Sequence, residues 1–178
     1  MTDTSTTSVP SVRRIVLTGF MGSGKSTAGP LLAARLGWRF VDVDNVIESQ
    51  AGMPIAEIFA RDGETAFRRL ERDAIARLAP EGGLVLALGG GAIEAAETRE
   101  LLLHSPGTVM VNLGVELATT LARCGGTEGT RPVLADLANL AARYERRLPL
   151  YRMAHATIAT DGLSPEQVVE AVLAAMGL

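Results

Sequence analysis

Residues 14–18, Arg-Ile-Val-Leu-Thr, form a short β-branched apolar run that stops at a glycine, the pattern of a strand buried on both faces of a parallel sheet. A glycine-rich stretch follows, and residues 28–36 then carry Leu31, Leu32 and Leu36 on one helical face, closed by Gly37. Residues 39–41 predict a second strand that runs on into Asp42-Val43-Asp44. Gly52 and Pro54 divide the next stretch into helices over 45–51 and 55–60. A longer helix is predicted over 64–78, where Phe67, Leu70, Ala74, Ile75 and Leu78 recur at helical spacing. Residues 84–88 read as a third buried strand, ending abruptly at Gly89-Gly90-Gly91.

The alternation continues with a helix near 95–103, a strand over 108–113 and a helix over 115–122. After a polar glycine-rich stretch at 124–130 come a helix over 135–148 and a strand over 157–159. The last helix starts at Ser164-Pro165-Glu166-Gln167, a capping box with proline at the first helical position. Five strands alternating with helices predict a three-layer α/β/α domain around a parallel sheet. With no internal repeat and no dividing linker, one domain over 12–178 is expected, preceded by a flexible tail at 1–11.

Composition narrows the partners. A net charge of −3 gives no bulk electrostatic reason to expect nucleic acid. No apolar run approaches the roughly 20 residues that a membrane helix needs, and the Ser/Thr-rich start lacks an apolar signal core, so cytoplasm is the expected location. A single cysteine, Cys124, excludes an internal disulfide and has no evident role. Of the 17 basic residues, Lys25 is the only lysine. It sits where a slender ammonium suits the space between backbone and phosphate better than a planar guanidinium does.

That lysine belongs to Gly19-Phe20-Met21-Gly22-Ser23-Gly24-Lys25-Ser26, a phosphate-binding loop between a predicted strand and a helix beginning at Lys25. Its glycines let the backbone curl so that N–H groups point inward at phosphate oxygens; the lysine reaches the β- and γ-phosphates, and the Ser26 hydroxyl is placed to ligate magnesium. Many such proteins carry a magnesium aspartate at the end of a second apolar strand. Here the corresponding strand ends in three glycines, and the nearest carboxylates are Asp42 and Asp44. If the strand stays extended, these two point to the same side, toward the crevice at the carboxyl end of the sheet; the simpler alternative is that Asp44 caps the next helix.

Arg68 and Arg69 flank an apolar stripe, so at least one guanidinium lies beside buried surface, with Glu71 spaced to brace Arg68; a solvated ion pair is the alternative. Gly89, Gly90 and Gly91 offer either backbone N–H groups for close approach or simply a flexible turn. Arg131, after Gly125, Gly126 and Gly129, suits a mobile lid carrying a cation to the transferring phosphoryl group. Arg146 and Arg147 end a helix, where cations are favoured for dipole reasons alone. His104 and His155 read as structural.

Six ordered motifs together resemble the shikimate kinase family over nearly the whole chain, from about residue 13 to the last helix. They are the loop at 19–27, Phe40-Val41-Asp42-Val43-Asp44, and Asp62-Gly63-Glu64 with Phe67-Arg68-Arg69-Leu70-Glu71, then Leu88-Gly89-Gly90-Gly91-Ala92, Thr130-Arg131-Pro132 and Arg147-Leu148-Pro149-Leu150-Tyr151. The resemblance implies a P-loop kinase fold and ATP-dependent, magnesium-assisted phosphorylation of the 3-hydroxyl of shikimate in aromatic amino-acid biosynthesis. It implies that Gly22, Ser23, Gly24, Lys25, Ser26 and Thr27 hold the nucleotide phosphates, with Ser26 and Asp42 at the metal. Asp44 would bind substrate hydroxyls and accept the proton of the attacking one, while Arg68 and Arg147 clamp the substrate carboxylate beside Gly89, Gly90 and Gly91. Arg123 would pack against adenine, and Arg131 would reach the phosphates from a lid around 123–136. Leu163 stands where the family can carry an arginine, so adenine contacts near 160–165 stay unassigned. A monomer is expected. Two alternatives remain open: a kinase for another small hydroxy acid such as gluconate, and a non-catalytic nucleotide-binding module.

Overall fold

A computed structural model describes residues 12–124 and 137–178. Five parallel strands form one sheet in the order β2-β3-β1-β4-β5: β1 (Arg14–Thr18), β2 (Arg39–Asp42), β3 (Leu84–Ala87), β4 (Thr108–Gly114) and β5 (Ala156–Ala159). Seven helices are described: α1 (Lys25–Leu36), α2 (Val43–Ala51), α3 (Ile55–Leu78), α4 (Ala96–His104), α5 (Leu117–Cys124), α6 (Leu137–Tyr151) and α7 (Pro165–Met176). This is the three-layer α/β architecture around a parallel sheet that the alternating pattern predicts.

Strand pleat explains why the sheet is apolar on both faces. Ile15 and Leu17 join Val85, Val111 and Leu113 in a core shared with α1 and α7. Val16, one residue out of phase, joins Leu84, Leu86 and Met110 in a second core with α2, α3, α4 and α6. The edge strands carry less burial: β5 alternates half-buried and exposed residues along its length.

Register then places the functional loops. Ala87 of β3 lies opposite both Leu17 of β1 and Asp42 of β2, so three neighbouring strands end at one level of the sheet. The loops after β1, β2 and β3 therefore open into one crevice, the usual ligand position of an open α/β sheet.

Several sequence expectations need correction. β2 stops at Asp42 and α2 begins at Val43, so Asp44 sits in the first helical turn and the extended-strand argument for its direction fails. Asp42 is the N-cap, its Oδ1 accepting from the Asp44 N–H at 3.0 Å. Leu31 is 40% exposed, while Leu32 fills the core position expected of both. α6 runs three residues past the predicted end, through Pro149 to Tyr151. The two helices expected over 55–60 and 64–78 do appear, as halves of α3 separated at Gly63, whose φ of 80° and ψ of 171° break the helix. The tail at 1–11, Arg131 and most of the expected lid lie outside the described residues.

Candidate active site

The loop after β1 is closed by backbone geometry that only glycine adopts readily. Gly24 has φ 94° at the N-cap of α1, where no side chain caps the helix, so the first-turn N–H groups face the crevice without a side-chain competitor. Lys25 Nζ lies across the loop, donating to the Gly19 and Phe20 carbonyls at 2.7 and 3.1 Å and to Ser23 Oγ at 3.3 Å. α5 secures the outer side of the loop. Thr120 Oγ1 donates to the Met21 carbonyl at 3.2 Å, and Arg123 donates to the Gly22 carbonyl at 2.9 Å. Arg123 also donates to the Thr160 carbonyl at 2.9 Å, bridging the loop to the turn after β5.

At the foot of α1, Ser26 Oγ is 3.2 Å from Asp42 Oδ2. Two hard oxygen donors side by side fit magnesium, which takes few protein ligands and keeps several of its waters. The N-cap bond to Asp44 N–H holds the aspartate still, because it occupies the other carboxylate oxygen.

The triple glycine explains the rest of the crevice. A Cβ built on Gly89 would lie 2.8 Å from Glu71 Oε1 and 2.9 Å from Asp44 Oδ1. One on Gly90 would meet Arg147 Nη1 at 3.5 Å and the Tyr151 hydroxyl at 3.6 Å. One on Gly91 would stand 2.8 Å from Arg68 Cζ and closer still to Nη2. Each glycine is thus faced by a different polar side chain. Glycine at these positions leaves room for two carboxylates and two guanidiniums, a steric reason that the sequence did not suggest.

Both arginines are braced. Arg68 Nη1 donates to Glu71 Oε2 at 2.7 Å, the pairing that the spacing predicts, and Glu64 lies 3.3 Å away on the other side. Arg69, left open by sequence, is exposed. Arg147 is nearly buried and its Nε donates to Glu94, with Arg146 3.5 Å from the same carboxylate. The Tyr151 hydroxyl donates to the Gly90 carbonyl at 2.6 Å. Glu94 lay in none of the motifs, and Tyr151 closed one of them without an assigned role, because neither pairing follows a helical or strand period.

Electrostatics separates the carboxylates. Burial, then the like charge of Asp42, pushes the Asp44 carboxyl above its usual range, with Lys25 pulling the other way. Burial also raises Glu71, which is only 2% exposed, against the opposing pull of Arg68. Burial raises Glu94 as well, but the hydrogen bond and charge of Arg147 outweigh it and leave Glu94 below the ordinary value. Asp44 Oδ1 and Glu71 Oε1 are buried and make no hydrogen bond within the described residues. The arrangement sets a carboxylate of raised basicity between a phosphate loop and two oriented guanidiniums. Such a set suits transfer of a phosphoryl group to a hydroxyl on a small carboxylate-bearing acceptor.

The two histidines stand apart from this crevice. His155 Nδ1 accepts from the Met110 N–H at 2.9 Å while Nε2 lies 3.2 Å from the Leu103 carbonyl, and His104 pairs with Glu100 on the surface of α4.

Comparison with known proteins agrees with this geometry. The family model for shikimate kinase matches residues 21–177. A shikimate kinase of Geobacter sulfurreducens is 47% identical over 173 residues, covering 95% of this chain and 94% of that protein. One from Moorella thermoacetica is 43% identical over 164 residues, covering 91% and 93%. Among solved structures, a shikimate kinase from Acinetobacter baumannii in complex with shikimate superposes with a TM-score of 0.87 at 35% identity, covering 94% of each chain. A sugar kinase from Janibacter, at 20% identity and a TM-score of 0.57, shares the fold alone.

Proposed function

This chain belongs to the shikimate kinase family, and from that premise we propose that it transfers the γ-phosphoryl group of ATP to the 3-hydroxyl of shikimate. The observation that carries the reading is the convergence on Gly89, Gly90 and Gly91 of Asp44, Arg68 and Arg147. One carboxylate serves a reacting hydroxyl, and two guanidiniums serve a carboxylate.

Gly22, Ser23, Gly24, Lys25, Ser26 and Thr27 hold the nucleotide phosphates, and Lys25 exchanges its loop carbonyls for β- and γ-phosphate oxygens. Ser26 and Asp42 would hold magnesium, whose positive charge would offset that of the nucleotide phosphates. Arg68 and Arg147 fix the shikimate carboxylate, with backbone contacts from residues 89–91. The 3-hydroxyl oxygen attacks the γ-phosphorus in line, its proton passes to an Asp44 carboxylate oxygen, and the bond to the β–γ bridging oxygen breaks to release ADP. The raised basicity of Asp44 suits it to accept that proton.

Arg123, held between the Gly22 and Thr160 carbonyls, borders the adenine, and Arg131, which lies outside the described residues, is the further cation assigned to the nucleotide phosphates. The protein acts as a monomeric single-domain enzyme of the cytoplasm. No helix among the described residues is long and apolar enough to cross a membrane. An assay of ADP release with shikimate and with gluconate tests the reading: turnover of shikimate supports it, and turnover of gluconate alone defeats it.

A further inference from the structure

The two arginines at the crevice are held by carboxylates of different character. Glu71 is sealed beneath Arg68, whereas the Glu94 side chain, at Arg147, is 33% exposed and comes from a one-turn 3-10 helix, Ala92–Glu94. That short turn is itself tied down from both sides. The Glu94 N–H donates to the Gly91 carbonyl at 3.0 Å. Arg99 Nη1 donates to the carbonyls of Ile93 and Glu94 at 2.6 and 3.0 Å. A turn so strapped presents its carboxylate in one place.

Glu94 meets Arg147 on the Nε edge of the guanidinium, leaving Nη1 aimed over Gly90. The Arg147 side chain is only 8% exposed, so rotation about its last bonds decides which nitrogens face the crevice. An arginine grips a carboxylate in a planar fork, and a guanidinium turned out of that plane loses one of the two bonds.

We infer that Glu94 is a positioning residue for acceptor recognition, holding Arg147 by its Nε edge so that the terminal nitrogens are presented to the substrate carboxylate. The inference rests on the proposed role of Arg147 in shikimate binding. Glu94 acts through Arg147 and touches neither the reacting hydroxyl nor the nucleotide. Its contribution is the orientation of one long side chain before substrate arrives, a cost otherwise met during binding.

Steady-state kinetics of Glu94→Ala tests this. The KM for shikimate is expected to rise about three- to tenfold, the scale of immobilising one flexible side chain, with kcat and the KM for ATP within about twofold of wild type. Glu94→Gln restores most of the loss, because its amide oxygen still accepts from Nε. Glu94→Asp, one methylene short, raises KM in the same direction and serves as the second variant should the alanine protein not fold. With a shikimate analogue bearing hydroxymethyl in place of the carboxylate, Glu94→Ala and wild type should differ by less than about twofold. An unchanged or lowered KM in Glu94→Ala or Glu94→Asp, no recovery in Glu94→Gln, or an equal loss with both acceptors would overturn the inference. If wild-type protein itself does not phosphorylate shikimate, it is the functional reading that fails.

Discussion

Replacing Gly91 by alanine should damage acceptor binding while leaving the fold intact. Gly91 has φ −96° and ψ −8°, values that alanine adopts freely, so the backbone gives no reason for glycine. The cost is steric. The added methyl would stand 2.8 Å from Arg68 Cζ and Nη1, where ordinary contact begins near 3.4 Å, so the guanidinium must retreat by roughly half an ångström or more. Arg68 does not retreat freely, because Glu71 holds Nη1 at 2.7 Å and Glu64 lies 3.3 Å from Nη2. Losing one charge-assisted hydrogen bond to a substrate carboxylate costs about 1.5–3 kcal/mol. That corresponds to a fall in kcat/KM for shikimate of roughly 10- to 100-fold. The KM for ATP should not change, and thermal unfolding should shift by no more than about 1 kcal/mol equivalent, the scale of an off-rotamer side chain. Initial rates with each substrate varied in turn, alongside a melting curve, give all three quantities. A Gly91→Ala protein with wild-type kcat/KM for shikimate would refute the placement of Arg68 at the acceptor carboxylate.

Asp44→Asn should lower kcat by about 10²–10⁴-fold, the range for losing a general base, and should leave nucleotide binding intact by calorimetry. The same variant should melt higher than wild type at neutral pH. Burial, then Asp42, raises the Asp44 pKa, so its stabilising contribution is full below the unfolded value and lost as pH rises through the folded one; the difference should close in acid. Arg123→Ala removes the donors to Gly22 and Thr160 and should raise the KM for ATP roughly tenfold, with no effect on that for shikimate. Tyr151→Phe leaves the Gly90 carbonyl without its donor and should cost about 1–3 kcal/mol in urea unfolding. Burial pushes the Tyr151 phenol up to about 12, above its ordinary value, so that difference should hold steady below about pH 10 and shrink as pH rises above it.

The sheet was legible in the sequence because its three central strands, β3, β1 and β4, carry continuous apolar runs and the helices between strands keep a clear period. The chain after Phe40 was harder. Val41-Asp42-Val43-Asp44 alternates like a strand, yet Asp42 caps a helix and ends the strand there, as local capping chemistry overrides a four-residue period. Asp44 still reaches the crevice, now from a helical turn. Arg68 and Glu71 were readable because three residues make a helical neighbour pair. Glu94 was not, since its partner lies 53 residues away and only the tertiary fold brings them together. The reason for three successive glycines was hidden likewise: it is the volume occupied by side chains from α2, α3 and α6.

The most direct measurement is the identity of the product. Purified protein with ATP, magnesium and shikimate should yield a single phosphomonoester whose phosphorus correlates, in proton–phosphorus NMR, with the hydrogen on carbon 3 of the ring. An ester at another carbon, or inorganic phosphate with shikimate left unchanged, would contradict the account.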